Sequence, residues 1–204
     1  MNRRTFLRDV ATVGSVGLIA GCLGTGDAGG DQQDTTTSPK TPNCPTFGSE
    51  VDRVVCADRG STEDQPVYIE SDEQTFTVVT TNQTVETLGL TLHNQSDDPF
   101  VVNPGAWVIM RRGESNWSES ASGEHTEQSI TIGPESTHRW SLSLTPHPTP
   151  NTEETTFITA NLEGGTYIFA VVGELQSGDR TRRIECQAQF ELVKKQTTRT
   201  SSEG

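Results

Sequence analysis

The chain predicts an all-β fold, an antiparallel β-sandwich of about eight or nine strands. Three observations predict it. Short apolar stretches separated by turn clusters succeed one another at intervals of about 8–12 residues from Val67 to Leu192. No apolar run of ten or more residues follows the helical period. Near the C-terminus, Ile184, Cys186, Ala188, Phe190 and Leu192 alternate strictly with Glu185, Gln187, Gln189 and Glu191, so one face of a closing strand is apolar and the other polar.

The elements follow in order. Val67–Ile69 and Phe76–Val79 are short strands, and Leu88–Leu92 ends at the turn cluster Asn94–Asp98. Asn103-Pro104-Gly105 reads as a turn before Ala106–Met110, whose continuous apolar character suits a strand covered on both faces. Arg112–Ser115 turns the chain towards Trp117 in a hairpin. Ser129–Ile132 stops at Gly133-Pro134-Glu135-Ser136, and Trp140, Leu142 and Leu144 alternate with serines in a strand with one wet face. Pro146, Pro148 and Pro150 make 146–156 a loop. Phe157–Leu162 and the nearly all-apolar Thr166–Val172 return to the sheets.

The ends of the 204-residue chain are of other kinds. Arg3 and Arg4 precede Thr5-Phe6-Leu7, a twin-arginine export pattern, and a mild apolar stretch runs from Val10 to Ala20. Ile19-Ala20-Gly21-Cys22 resembles a lipobox, which makes residues 1–21 a signal peptide and Cys22 the lipid attachment site. Two acyl chains anchor a protein stably where one does not. The expected location is the outer face of the cytoplasmic membrane, with the domain outside. Residues 22–47 are rich in Gly, Asp and Thr and form a flexible linker; 48–194 form the sandwich and 195–204 a disordered tail.

With 28 Asp and Glu against 15 Lys and Arg, the net charge of −13 excludes unaided binding to nucleic acid, whose phosphates require a basic surface. Lysine occurs only at 40, 194 and 195 and threonine is abundant, a composition that resembles proteins of extremely halophilic archaea.

Leu162-Glu163-Gly164-Gly165-Thr166-Tyr167 leads into a buried strand as in the tyrosine corner of immunoglobulin-like sandwiches, in which the phenol bonds back to the upstream backbone. Together with Asn94-Gln-Ser96, Asn103-Pro104, Ala106-Trp107, Trp117, Gly133-Pro134-Glu135-Ser136 and Trp140, this series resembles the immunoglobulin-like domain of uncharacterised surface lipoproteins, here of the haloarchaeal, twin-arginine exported kind, over roughly residues 67–193. The resemblance implies a fold and no catalytic residues.

With Cys22 lipidated, three thiols remain. Cys44–Cys56 is the favoured bridge and Cys56–Cys186 the alternative, while the alternation turns Cys186 inward as a buried free thiol. Copper of the type 1 kind needs a Cys–His–Met cluster on the closing loop, and no His or Met follows Cys186. His93, His125, His138 and His147 are scattered and read as surface residues. No G-x-S-x-G elbow, H-E-x-x-H helix or P-loop occurs, so the expectation is no enzyme, no cofactor and no metal. Asn82, Asn94 and Asn116 head N-x-S/T sequons. Trp117, Asp97 and Asp98, with the 146–156 loop, make up the expected recognition end. The function expected is a lipid-anchored, non-catalytic binding module for an envelope protein or a glycan. The rival is a loop-based hydrolase or metal-binding accessory protein.

Overall fold

In a computed structural model, residues 44–57, 62, 64–79, 85–146 and 150–195 are described. The expected export signal with Arg3 and Arg4, the expected lipid site Cys22, most of the expected linker, Asn82, His147 and the residues beyond Lys195 lie outside the described residues.

The fold is all-β. Eleven strands are described: β1 (Arg53–Cys56), β2 (Val67–Ser71), β3 (Thr75–Val79), β4 (Thr87–Asn94), β5 (Phe100–Arg112), β6 (Trp117–Ser122), β7 (Ile130–Ile132), β8 (Ser136–Ser143), β9 (Thr155–Thr159), β10 (Gly165–Ser177) and β11 (Arg180–Lys195). One sheet runs β1-β11-β10-β5-β6, with β3 also on β11 and β7 also on β5; the other runs β2-β4-β8-β9. Two expectations need correction. Among the described residues the strands number eleven rather than about eight or nine, and the sheets are mixed rather than wholly antiparallel. β1 and β3 pair in parallel with successive stretches of β11, and β8 pairs in parallel with β9. The parallel pairing of β8 with β9 requires the chain to return to the starting end of β8 between Ser143 and Thr155.

The inner faces of the two sheets share one apolar core. Leu88, Leu90, Leu92, Trp140 and Leu142 from the second sheet meet Phe100, Ile109, Tyr167, Phe169, Val171 and Phe190 from the first. Trp140 is fully buried, its ring 5.6 Å from that of Phe169, and its indole Nε1–H donates to the Pro104 carbonyl of the opposite sheet at 2.9 Å. That acceptor exists because β5 does not break at Asn103-Pro104-Gly105, as its turn-like sequence suggests. Residues 103–106 bulge opposite Val172 between the Trp107–Val171 and Val102–Gly173 pairs, and pairing resumes on both sides.

The tyrosine corner is present. Tyr167 Oη donates to the Glu163 carbonyl at 2.7 Å, and burial pushes its phenol pKa above the ordinary value. Tyr167→Phe should lower stability by about 1–1.5 kcal/mol, measured by equilibrium denaturation, because the ring still packs on Phe190 while the carbonyl loses its donor.

One register feature positions the candidate site. Core-facing Ile184, Cys186 and Ala188 leave Glu185 and Gln187 on the outer face of β11, yet both are buried. Residues 44–48 lie across that face as a strap. Glu185 accepts from the Phe47 amide through both carboxylate oxygens at 3.1 Å and from the Gly48 amide at 2.9 Å, and Gln187 Nε2 donates to the Pro45 carbonyl. A Cβ at Gly48 would come within 2.9 Å of Val172 and Val51, so only glycine allows this approach. Cys44 and Cys56 are disulfide-bonded with Cα atoms 6.4 Å apart, tying the strap to the end of β1. The packed body therefore begins before Gly48, inside the segment expected to be linker.

Candidate functional site

The strap creates a cleft at the end of the first sheet where β5 turns into β6. Pro45, Arg112, Glu114, Ser115, Asn116 and Trp117 line a space of about 390 Å³. The turn is closed by the Gly113 amide donating to the Asn116 carbonyl at 2.8 Å, which holds residues 113–116 outward. Trp117 is the first residue of β6 rather than a residue of the turn, and it is half-buried. Phe47 of the strap meets its ring edge-on at 6.4 Å, and the Arg112 guanidinium sits 6.0 Å from the ring centroid. Chemically, the cleft offers a held indole, a delocalised cation and exposed polar side chains. These groups favour planar or hydroxyl-bearing ligands.

The expected recognition end is not assembled as the sequence suggested. Asp97 and Asp98 precede β5, whereas Trp117 follows it, so they stand at opposite ends of a 13-residue strand, about 35–40 Å apart at ~3.3 Å per residue. Asp98 contributes its backbone to the turn: its carbonyl accepts from Asn94 Nδ2 at 2.8 Å and from Ser96 Oγ at 2.9 Å.

That turn also decides one sequon. Asn94 is buried, and its amide nitrogen donates to the carbonyls of Asp98, Ile132 and Gly133. A glycan on Nδ2 cannot coexist with these bonds, so Asn94 is a structural residue of the folded protein and not a glycan acceptor. Asn116 is exposed on the turn.

The histidines correct a second expectation. His138 faces the core, not solvent: its ring lies edge-on to Trp140 at 4.7 Å and Nε2 is 3.0 Å from Thr156 Oγ1. Burial holds its pKa below the ordinary value, partly opposed by a hydrogen bond to the Glu153 backbone. A folded-state pKa below the unfolded one means that the unfolded chain takes up the proton first. Stability from His138 is complete above the unfolded value of about 6.5 and falls as pH drops from there towards the folded value. Denaturation midpoints between pH 8 and 5 should therefore fall less steeply for His138→Gln than for the parent. His93 stacks on Tyr68 with ring centroids 4.7 Å apart, and its Nε2 is 3.1 Å from Glu70 Oε1.

On the outer face of the second sheet, Arg139 pairs with Asp72 directly over Gly89, where a Cβ would collide with the guanidinium. Cys186 is buried and free, and burial with the neighbouring Glu185 charge raises its thiol pKa well above the ordinary value, which makes it unreactive. Among the described residues no group of three or more His, Cys, Asp or Glu is placed to hold a metal ion.

No protein-family model matches the chain, and no curated protein matches it. Solved structures similar to it include the structural-genomics target SoR45, at 14% identity over 69% of this chain and 96% of that one, with a TM-score of 0.35. Others are a protein from Archaeoglobus fulgidus (12% identity, 63% and 95% covered, TM-score 0.28) and BslA, titled a bacterial hydrophobin (12%, 63% and 95%, TM-score 0.25).

Proposed function

We propose that this chain is a lipid-anchored surface protein of the haloarchaeal type whose immunoglobulin-like sandwich binds an envelope protein or a glycan without catalysis. Cys22 carries the lipid after twin-arginine export guided by Arg3 and Arg4, and the acidic surface suits concentrated salt. The observation that supports binding is the cleft, where Trp117 is held between Phe47 and Arg112 beside an outward turn. Aromatic and arginine side chains fixed in a partly desolvated cleft are the usual anchors of recognition, and a fixed indole surrenders little entropy on contact. Because Pro45 forms one wall, the partner docks at the end of the body that the linker enters.

The test is crosslinking on intact cells that express the full chain. The parent should give a discrete adduct, and Trp117→Ala should reduce its yield at least fivefold while the cooperative unfolding transition of the purified variant is retained. Cys22→Ser should move the protein from the membrane pellet to the medium. An adduct indifferent to Trp117→Ala refutes the docking site, and a serine variant retained in the pellet refutes the anchor.

A further inference from the structure

In a chain where 28 acids face 15 bases, an arginine has carboxylates in plenty to pair with. Among the described residues, Arg139 holds Asp72, Arg183 lies 3.7 Å from Glu50, Arg53 donates to Gln65 and Arg111 to the Gly164 carbonyl. Arg112 differs. It lines the Trp117 cleft, yet among the described residues it makes no ion pair and no hydrogen bond; its contact is the Trp117 ring, 6.0 Å from the guanidinium carbon to the centroid. Glu114 lines the same cleft without pairing to it. The side chains of Ser115 and Asn116 are exposed there and are likewise without a hydrogen bond among the described residues.

These groups define a ligand. A guanidinium is a planar fork of N–H donors that matches a carboxylate through two parallel bonds. The indole contact restrains that fork without spending its donors. One guanidinium balances one negative charge. A phosphate monoester brings about 1.5–2 charges at neutral pH and would leave the excess beside Glu114 on an acidic body, whereas a carboxylate leaves none. The rest of the lining separates a sugar from an acidic protein segment. Apart from Pro45 and Trp117 it is polar, so a protein side chain would bury little apolar surface, while ring hydroxyls can bond to the Ser115 hydroxyl and the Asn116 amide. The volume of about 390 Å³ falls in the range of small-ligand sites, about 300–1,000 Å³. Resting on the docking reading of this cleft, we infer that its ligand is a carboxylate-bearing glycan of the uronate type, with Arg112 as the residue that selects it.

The test is a titration of the folded, disulfide-bonded chain with trigalacturonate at neutral pH and constant ionic strength, followed by the Trp117 indole and Gly113 amide resonances. Both should shift saturably. The methyl ester keeps the sugar rings and loses the charge, and hexaglutamate keeps carboxylates and loses the sugars; each should bind at least tenfold more weakly. Arg112→Gln should weaken trigalacturonate binding at least tenfold, and Arg112→Lys should recover only part of that loss, because an ammonium lacks the fork. Glu114→Gln should tighten binding by removing a like charge from the same turn. A non-saturating shift, an equal response to the ester or to hexaglutamate, or indifference to Arg112→Gln overturns the inference. On intact cells, a crosslinked adduct lost in both Trp117→Ala and Arg112→Gln supports it. An adduct lost in Trp117→Ala but kept in Arg112→Gln overturns it and leaves the docking site standing.

Discussion

Trp140→Ala should lower the free energy of unfolding by about 3–5 kcal/mol, the largest loss expected from a single core truncation in this chain. Three consequences add up at that residue. The indole is fully buried between the sheets, so its removal opens a cavity at the centre of the core. The ring contacts with Phe169 and His138 vanish together. The Pro104 carbonyl also loses the Nε1 donor that crosses between the sheets. Trp140→Phe separates the terms: it keeps most of the apolar volume and should cost about 1–3 kcal/mol, chiefly for the carbonyl left without a donor. Chemical denaturation monitored by circular dichroism measures both. Equal losses for the two variants would mean that the hydrogen bond, not packing, carries the residue.

Glu185→Ala should cost about 3 kcal/mol or more, and by a different route. The carboxylate is not a core group; it collects the amides of Phe47 and Gly48 and the side chain of Gln187. Deleting it removes the acceptor of two part-buried amides and one of the two acceptors of Gln187 Nε2, each bond to the charged group being worth about 1.5–3 kcal/mol, offset in part by relief from burying the charge. The disulfide holds the same strap: closing a loop of about 13 residues contributes about 3 kcal/mol in the chain-entropy account. Replacing Cys44 and Cys56 by serine in the Glu185→Ala background should therefore cost less than the two separate losses together, because a strap already loose is not loosened twice. A double-mutant cycle read by denaturation gives the coupling directly. Additive losses would show that the two devices hold different segments.

How far residues reveal this fold depends on whether their signal is local. The alternation in 184–192 is local, and it marked both the strand β11 and the inward Cys186. So was Gly165-Thr166-Tyr167, whose corner bond forms within five residues. By contrast, β1 is four residues long, and its pairing with β11 spans more than a hundred positions, so no periodicity announces it. Pro104 looked like a stop because a proline has no amide to give a ladder, and only the opposite sheet reveals that its carbonyl is needed. The cleft was half legible: Trp117 stood out as an aromatic among polar residues, but Phe47 and Arg112 reach it through the strap and the hairpin. Glu185 was hidden for the opposite reason. An acid at an alternate position of a strand reads as solvated, and nothing in the alternation says that residues 44–48 cover it.

The central claim is that this strap is part of the body and forms one wall of the Trp117 cleft. Amide hydrogen exchange on the folded chain tests it most directly. The amides of Phe47 and Gly48 should exchange slowly in the parent, comparably to β10 and β11, and lose protection selectively in Glu185→Ala. Free exchange of both amides in the parent, with β10 and β11 still protected, would contradict it.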